Sequence, residues 1–382
     1  MPSATPSAIQ TLLRQGPVSD AAVAEFLAAH TFPIIEGRQA TFVYQGAADA
    51  VHLRHWVYGL ASSQSFHRVE GTQLWHHTLE LPPQSRVEYK FEVVQNGQHQ
   101  WIRDPLNPNL AHDPFGANSV CAGQGYRRPA WTEPDPEARQ GTVKEMLFKE
   151  TKLGGPRRVS VYLPARFRET RRYPLLIVHD GGDYMRYASL QTVLDNLIHR
   201  LEVAPLVVAL THPGDRLSEY PNHPGHAAFI AEQVLPEMKA KFPLYDAPAS
   251  RCLMGASFGG VAALATAWRY PGTFGRLLLQ SGSFAFTDIG ENKRGPTFAK
   301  VVEFINAFRD KPGKPSEKVY LSCGTYESLI YENRSMVPVL QQTGMEVRYE
   351  EARDGHNWEN WRDRLRSGLS WLFPGPLWMV YE

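Results

Sequence analysis

Gly255-Ala256-Ser257-Phe258-Gly259, followed by Gly260, is the segment of this 382-residue chain best suited to covalent chemistry. It matches G-x-S-x-G, with an apolar strand-like run (Arg251 to Met254) entering it and an Ala/Leu-rich helical run leaving it. That context predicts a nucleophile elbow, where a tight strand–turn–helix exposes a serine hydroxyl and the flanking glycines avoid Cβ collisions. A serine hydroxyl is a weak nucleophile and needs a base, which in turn needs an orienting acid. With a serine on such an elbow the chain order is Ser, acid, His. The last histidine, His356 in Asp354-Gly355-His356-Asn357-Trp358, lies between a strand-like run and a closing amphipathic run, where the base belongs.

The acid is expected on the loop after the strand VYLSCG, and Glu327 is the first choice. Glu332 comes next, and a Ser–His dyad is a further option. Asp354 ranks lower, because a residue two positions before His356 rarely reaches its Nδ1. An oxyanion needs preorganised N–H donors. The amide of Phe258 is one candidate, and the amide of Gly182 in His179-Asp180-Gly181-Gly182-Asp183 is the other.

These residues need a scaffold, and the chain offers two. Residues 17–30 have helical spacing with Ser19 or Asp20 as cap. From about 38 to 125 the pattern is short β runs, with Val87, Tyr89, Phe91 and Val93 alternating and Asn96-Gly97 marking a hairpin. After residue 141, apolar Val/Ile/Leu runs alternate with helical segments, as a parallel sheet covered on both faces requires. Between the two, RRPAWTEPDPEARQG is rich in proline and charge. The expected organisation is 1–128 (a helix plus a β-sandwich), a linker at 129–141, and an α/β catalytic domain at 142–382. The fold class is therefore α/β, a mostly parallel central sheet carrying a hydrolase-type elbow and preceded by an N-terminal β-sandwich.

Composition narrows the function. Lys plus Arg is 40 against 39 for Asp plus Glu, a net charge of +1. That balance argues against a broad nucleic-acid or anionic-membrane footprint. Three scattered cysteines without CxxC spacing, no signal-like start and no long apolar run fit a cytoplasmic location. The pairs His76-His77, His52 with His55, and His223 with His226 lack zinc-like partners, so no metal and no cofactor are expected.

The chain resembles the bacterial enterochelin (enterobactin) esterases of the esterase D group. In the first half the resemblance rests on Leu74-Trp75-His76, on Asp104-Pro105-Leu106-Asn107-Pro108 and on 113–119 (DPFGANS). In the second half it rests on His179-Asp180-Gly181, 215–220 (DRLSEY), 256–260 (ASFGG), 280–283 (QSGS), Glu332-Asn333-Arg334, 354–358 (DGHNW), and Trp361-Arg362. The resemblance implies an N-terminal Ig-like β-sandwich ahead of an α/β-hydrolase domain, and opening of the trilactone of ferric enterobactin, a small-molecule ester, with iron entering as part of the substrate. It supports Ser257 and His356, and Glu327 less firmly, since a dyad is an alternative within the family. Arg216 and Glu219 match an R-x-x-E element, which implies either contact with an anionic catecholate or acyl oxygen or pairing with each other as scaffold. A ferric tris-catecholate calls for a basic pocket, with Arg216, Lys293, Arg294 and Arg334 as candidate cations. Trp358 is a candidate for shaping the acyl pocket. Feruloyl or acetyl esterases of carbohydrates, and a general carboxylesterase, are the alternative enzyme readings. A non-enzymatic binding module is the alternative outside enzymes.

Overall fold

The computed structural model describes residues 6–287 and 294–376. Lys293, one of the candidate cations, therefore lies outside the described residues. The chain divides into two compact units. The first is Met1–Arg127 with Thr325–Glu327 and Ala352–Asn357, and the second is the remainder from Arg128 onward.

The first unit begins with two short helices, each started by a serine whose hydroxyl takes up a free amide. Ser7 and Gln10 form a reciprocal capping box for Ala8–Leu13, and Ser19 caps Asp20–Ala29. Ten strands follow: β1 (Ile34–Glu36), β2 (Gln39–Gln45), β3 (Ala50–His55), β4 (Ser63–Ser65), β5 (His67–Arg68), β6 (Leu74–Glu80), β7 (Arg86–Gln95), β8 (Gln98–Ile102), β9 (Leu110–Asp113) and β10 (Gly116–Ala122). They form two sheets, ordered β1-β2-β6-β5 and β4-β3-β7-β10-β9, with β8 also on β7. The β7–β8 hairpin turns at Asn96 (φ 51°) and Gly97 (φ 73°), the two positive-φ positions a type I′ turn requires. The alternating residues Val87, Tyr89, Phe91 and Val93 are all buried, and most join Phe42, Phe66 and Trp75 in an aromatic-rich core.

The second unit holds one eight-stranded sheet: β11 (Thr142–Phe148), β12 (Arg157–Leu163), β13 (Leu175–Val178), β14 (Val207–Thr211), β15 (Arg251–Ala256), β16 (Arg276–Gln280), β17 (Lys318–Gly324) and β18 (Glu346–Ala352). Its order is β11-β12-β14-β13-β15-β16-β17-β18. The β11, β12 and β14 pairings are antiparallel, and β14, β13, β15, β16 and β17 run parallel. Successive β13 residues serve opposite faces. Leu175 and Ile177 join the core shared with the helices at 258–269, 299–310 and 330–342, whereas Leu176 and Val178 join the one shared with those at 181–187, 190–199 and 358–372. This is the α/β-hydrolase sheet, buried on both sides, and it explains the unbroken apolar runs.

Two local features of the second unit are irregular. The Pro-rich stretch is not uniformly extended: Ala130–Thr132 form a 3-10 turn that buries Trp131, whose carbonyl accepts from Asn196 Nδ2 at 2.9 Å. The run HAAFIAEQVLPEMKAKF is not one regular helix. It is Pro224–Ala228, a π-helical Phe229–Val234, then Leu235–Lys241. Pro236 has no N–H to continue an α-helical ladder, and the wider π turn comes just ahead of it.

Candidate active site

Ser257 sits between β15 and the helix Phe258–Arg269 with φ 56° and ψ −121°, a backbone region L-residues rarely enter. The crowding around it explains the glycines. A Cβ on Gly255 would come within 2.2 Å of the Gly259 carbonyl oxygen, and one on Gly259 within 3.2 Å of an Asp180 carboxylate oxygen. The turn is tied to the next strand end by Ser257 N–H donating to the Gln280 carbonyl at 2.9 Å. Ser283 donates its N–H to the Ser257 carbonyl at 3.2 Å, and the two hydroxyl oxygens lie 3.1 Å apart. Asn333 clamps the Gly282 peptide from both sides, donating to its carbonyl at 2.9 Å and accepting from its N–H at 3.1 Å. Ser283 and Asn333 stand inside motifs that mark the family resemblance, yet nothing in their spacing shows that both serve the loop beside the nucleophile.

His179-Asp180-Gly181 lies directly behind the elbow. Asp180 adopts a left-handed conformation (φ 55°) at the start of the helix Gly181–Tyr187. Gly181 must be a glycine, since a Cβ there would meet Leu210 at 2.5 Å. Gly182 is in the first turn of that helix, and its Cα hydrogens face His212, whose Nδ1 a Cβ would approach to 3.1 Å. Phe258 occupies the matching first position of the helix after Ser257. The N–H groups of early helical turns carry the positive end of the helix dipole.

Arg216 and Glu219 do not pair with each other. Arg216 grips buried Asp180 with Nε at 2.9 Å and Nη2 at 2.8 Å, and its Nη2 also reaches the Ala256 carbonyl at 3.4 Å. Glu219 instead accepts from Arg157 at 2.6 Å and from the amides of Gly214 and Asp215. Burial, together with the Asp180 carboxylate, raises Asp183 above the ordinary aspartate range, while Arg216 opposes the shift. Burial also holds His179 and His226 below the usual imidazole range.

The other two candidate arginines are committed in the same way. Arg294 meets Glu332 at 2.5 Å, and Arg334 meets Glu351 through two hydrogen bonds of 2.7 Å. Trp358 is half-buried in an aromatic group with Tyr184 (5.2 Å), Tyr187 (5.9 Å) and Trp361 (4.8 Å). Among the described residues no group of three His, Cys, Asp or Glu side chains is arranged to hold a metal ion, and no helix is long and apolar enough to cross a membrane.

His356 and Glu327 belong to the first unit through the short segments that carry them. The His356 Nδ1 lies 2.7 Å from Glu327 Oε2; the carboxylate is fully buried, and the imidazole is 38% exposed. This bond assigns the proton to Nδ1 and leaves Nε2 as the basic nitrogen. Glu332, the second choice for the acid, is occupied by Arg294. Asp354 turns away from the ring toward Gly355 N–H (2.7 Å), Asn357 Nδ2 (2.8 Å) and Arg86 Nη1 (3.2 Å).

The Esterase family model matches residues 151–372. Over 333 residues the chain is 26% identical to the iron(III) enterobactin esterase of Escherichia coli K12, covering 80% of this chain and 81% of that one. The ferric enterobactin esterase of Salmonella typhimurium superposes with a TM-score of 0.73 at 22% identity, over 87% of this chain and 93% of the other. A ferulic acid esterase superposes with a TM-score of 0.54 at 19% identity; it covers 61% of this chain and 98% of its own.

Proposed function

The chain belongs to the Esterase family, and from that premise we propose that it is a serine hydrolase that opens the ester bonds of a ferric catecholate siderophore of the enterobactin kind. Ser257 Oγ attacks the ester carbonyl while His356 Nε2 accepts its proton. Glu327 keeps the Nδ1–H tautomer and stabilises the imidazolium that forms. The amides of Phe258 and Gly182 receive the oxyanion. Collapse of the tetrahedral intermediate expels the serine alkoxide of the lactone, which takes the proton from His356. Water, deprotonated by the same imidazole, then releases the acyl group from Ser257. Iron enters as part of the substrate and is released once the lactone that holds the catecholates together is opened.

The observation that carries the hydrolase reading is the strained Ser257 backbone on a strand–helix turn, in a chain that also holds a 2.7 Å His356–Glu327 pair. The substrate class rests on coverage: similarity to the enterobactin esterase extends over 80% of the chain. The ferulic acid esterase accounts for 61% of it. Recognition of the catecholates is assigned to Trp358 and Arg334, while Arg216 and Glu219, committed to Asp180 and Arg157, act as scaffold. Because Arg216 and Arg334 are already paired, ring stacking on Trp358 carries more of that recognition than free charge. The enzyme would work in the cytoplasm, where ferric siderophores deliver their iron.

Ser257→Ala should lower turnover of an activated aryl ester by roughly 10^5-fold or more and abolish labelling by a fluorophosphonate, with circular dichroism unchanged. Retained activity would remove the mechanism. Chromatography then decides the substrate: linear dihydroxybenzoyl-serine units should appear from ferric enterobactin, and no acid from feruloyl or acetyl sugar esters. The opposite pattern would make the protein a carbohydrate esterase.

A further inference from the structure

Arg86 opens β7, and its side chain is 1% exposed. A fully buried arginine is costly unless its donors are matched, so its partners are informative. Nη1 donates to Asp354 (3.2 Å) and to Asn357 Oδ1 (3.0 Å), and Nη2 donates to Glu88 at 2.9 Å. Asp354 and Asn357 bracket the Gly355-His356 dipeptide, so one guanidinium holds both ends of the turn that presents the imidazole. The Arg86 backbone adds a third tie, its N–H donating to the Arg353 carbonyl at 2.9 Å.

The preceding residue holds the other half of the pair. Ser85 Oγ donates to the Pro82 carbonyl at 2.6 Å and therefore accepts from the Tyr326 hydroxyl, 2.5 Å away. Tyr326 is the neighbour of Glu327, packs against the aromatic core of the sandwich, and has its carbonyl held by Tyr58 N–H at 2.9 Å. The two segments are also joined directly, Thr325 N–H to the Ala352 carbonyl (2.7 Å) and Tyr326 N–H to the Asp354 carbonyl (3.1 Å).

We propose that Ser85 and Arg86 are positioning residues for the reaction, fixing the distance and ring orientation of the His356–Glu327 pair from the start of a sandwich strand. The inference rests on the reading of His356 as base and Glu327 as its orienting acid. It gives the sandwich a role in rate as well as in folding, because a base displaced by about 1 Å can cost roughly 100-fold.

The test uses the full chain. Arg86→Met should lower kcat on an activated aryl ester by roughly 100-fold with KM within about threefold, and the downfield proton signal of the His356 Nδ1–H should vanish from the NMR spectrum. Arg86→Met leaves the buried Asp354 and Glu88 carboxylates without their cation, so its melting temperature also drops. The double variant Arg86→Met/Asp354→Asn removes the more buried of the two charges. It should recover part of the melting temperature while kcat stays low. Recovery of both together shows a merely structural role and overturns the proposal.

Should neither variant fold, Arg86→Lys retains the charge but cannot span Asp354, Asn357 and Glu88. A wild-type kcat in that variant overturns the proposal as well. The NMR signal separates the two layers of inference. If the wild-type protein hydrolyses no ester, the functional reading fails. If the Nδ1–H signal survives Arg86→Met, the positioning role fails whatever the substrate.

Discussion

Holding Ser257 at φ 56° costs about 1–3 kcal/mol, and the surrounding glycines and the Gln280 and Ser283 hydrogen bonds supply the constraint that keeps it there. The same logic of committed partners separates the two glutamates. Glu327 faces His356 at 2.7 Å, whereas Glu332 is taken by Arg294. Glu327→Gln should therefore reduce kcat by roughly 10^4-fold, the scale of a lost tautomer. Glu332→Gln should cost less than about tenfold in kcat, with a lower melting temperature from an unpaired Arg294. Steady-state kinetics on both variants check this, and the reverse ranking would move the acid to Glu332. Ser257, Glu327 and His356 could be singled out as candidates because each follows a strand within four residues, after β15, β17 and β18 in turn, where local pattern and chain order coincide. The partner of Arg216 was not legible. Asp180 lies 36 residues away, and only the pairing of β13 with β14 and β15 brings those turns together.

At the scale of elements, periodicity found most of the strands, because burial on one face leaves a period of two and burial on both leaves an unbroken run. It did not find the six-residue helix Ala8–Leu13, too short for a periodic signal, whose buried face is Ile9 and Leu12 and whose start is a capping box. It also missed the π turn at Phe229–Val234. In the sandwich, the turn after β8 is built on a polar knot: Tyr89 donates to buried Asp104 at 2.6 Å, and Asn107 donates to the Tyr89 oxygen at 3.0 Å. Burial pushes Asp104 up to about 6, against the Tyr89 and Leu106 hydrogen bonds that favour its charged form. A raised folded-state value means the site favours folding most below the unfolded aspartate range near 4, and that contribution is lost as pH rises through about 6. Asp104→Asn removes the titration. Its unfolding free energy between about pH 4 and about pH 7 should fall less than that of the parent, by on the order of 2 kcal/mol. Urea denaturation followed by circular dichroism reads the difference. Parallel profiles for the two proteins would show that Asp104 is ionised in both states.

For the molecule as a whole, a net charge of +1 leaves no long-range field to steer an anion. Local charge could compensate, but each of the three candidate arginines among the described residues has a carboxylate partner: Asp180 for Arg216, Glu332 for Arg294 and Glu351 for Arg334. Sequence could count those arginines but not neutralise them, since every partner comes from a different segment of the chain. A tris-catecholate complex is multiply anionic, so a site built on free cations would lose rate steeply as salt screens the approach. Here the opposite follows. Between about 0.05 M and about 0.5 M sodium chloride, kcat/KM for ferric enterobactin should change by less than about threefold. An uncharged aryl ester should show a similar slope. Arg216→Met should lower kcat/KM for both substrates by a similar factor, because the arginine's first duty is to Asp180 and the Ala256 carbonyl behind the nucleophile. A salt dependence confined to the ferric complex, or a loss in Arg216→Met confined to it, would mean that binding draws Arg216 out of its pair to meet the catecholate charge.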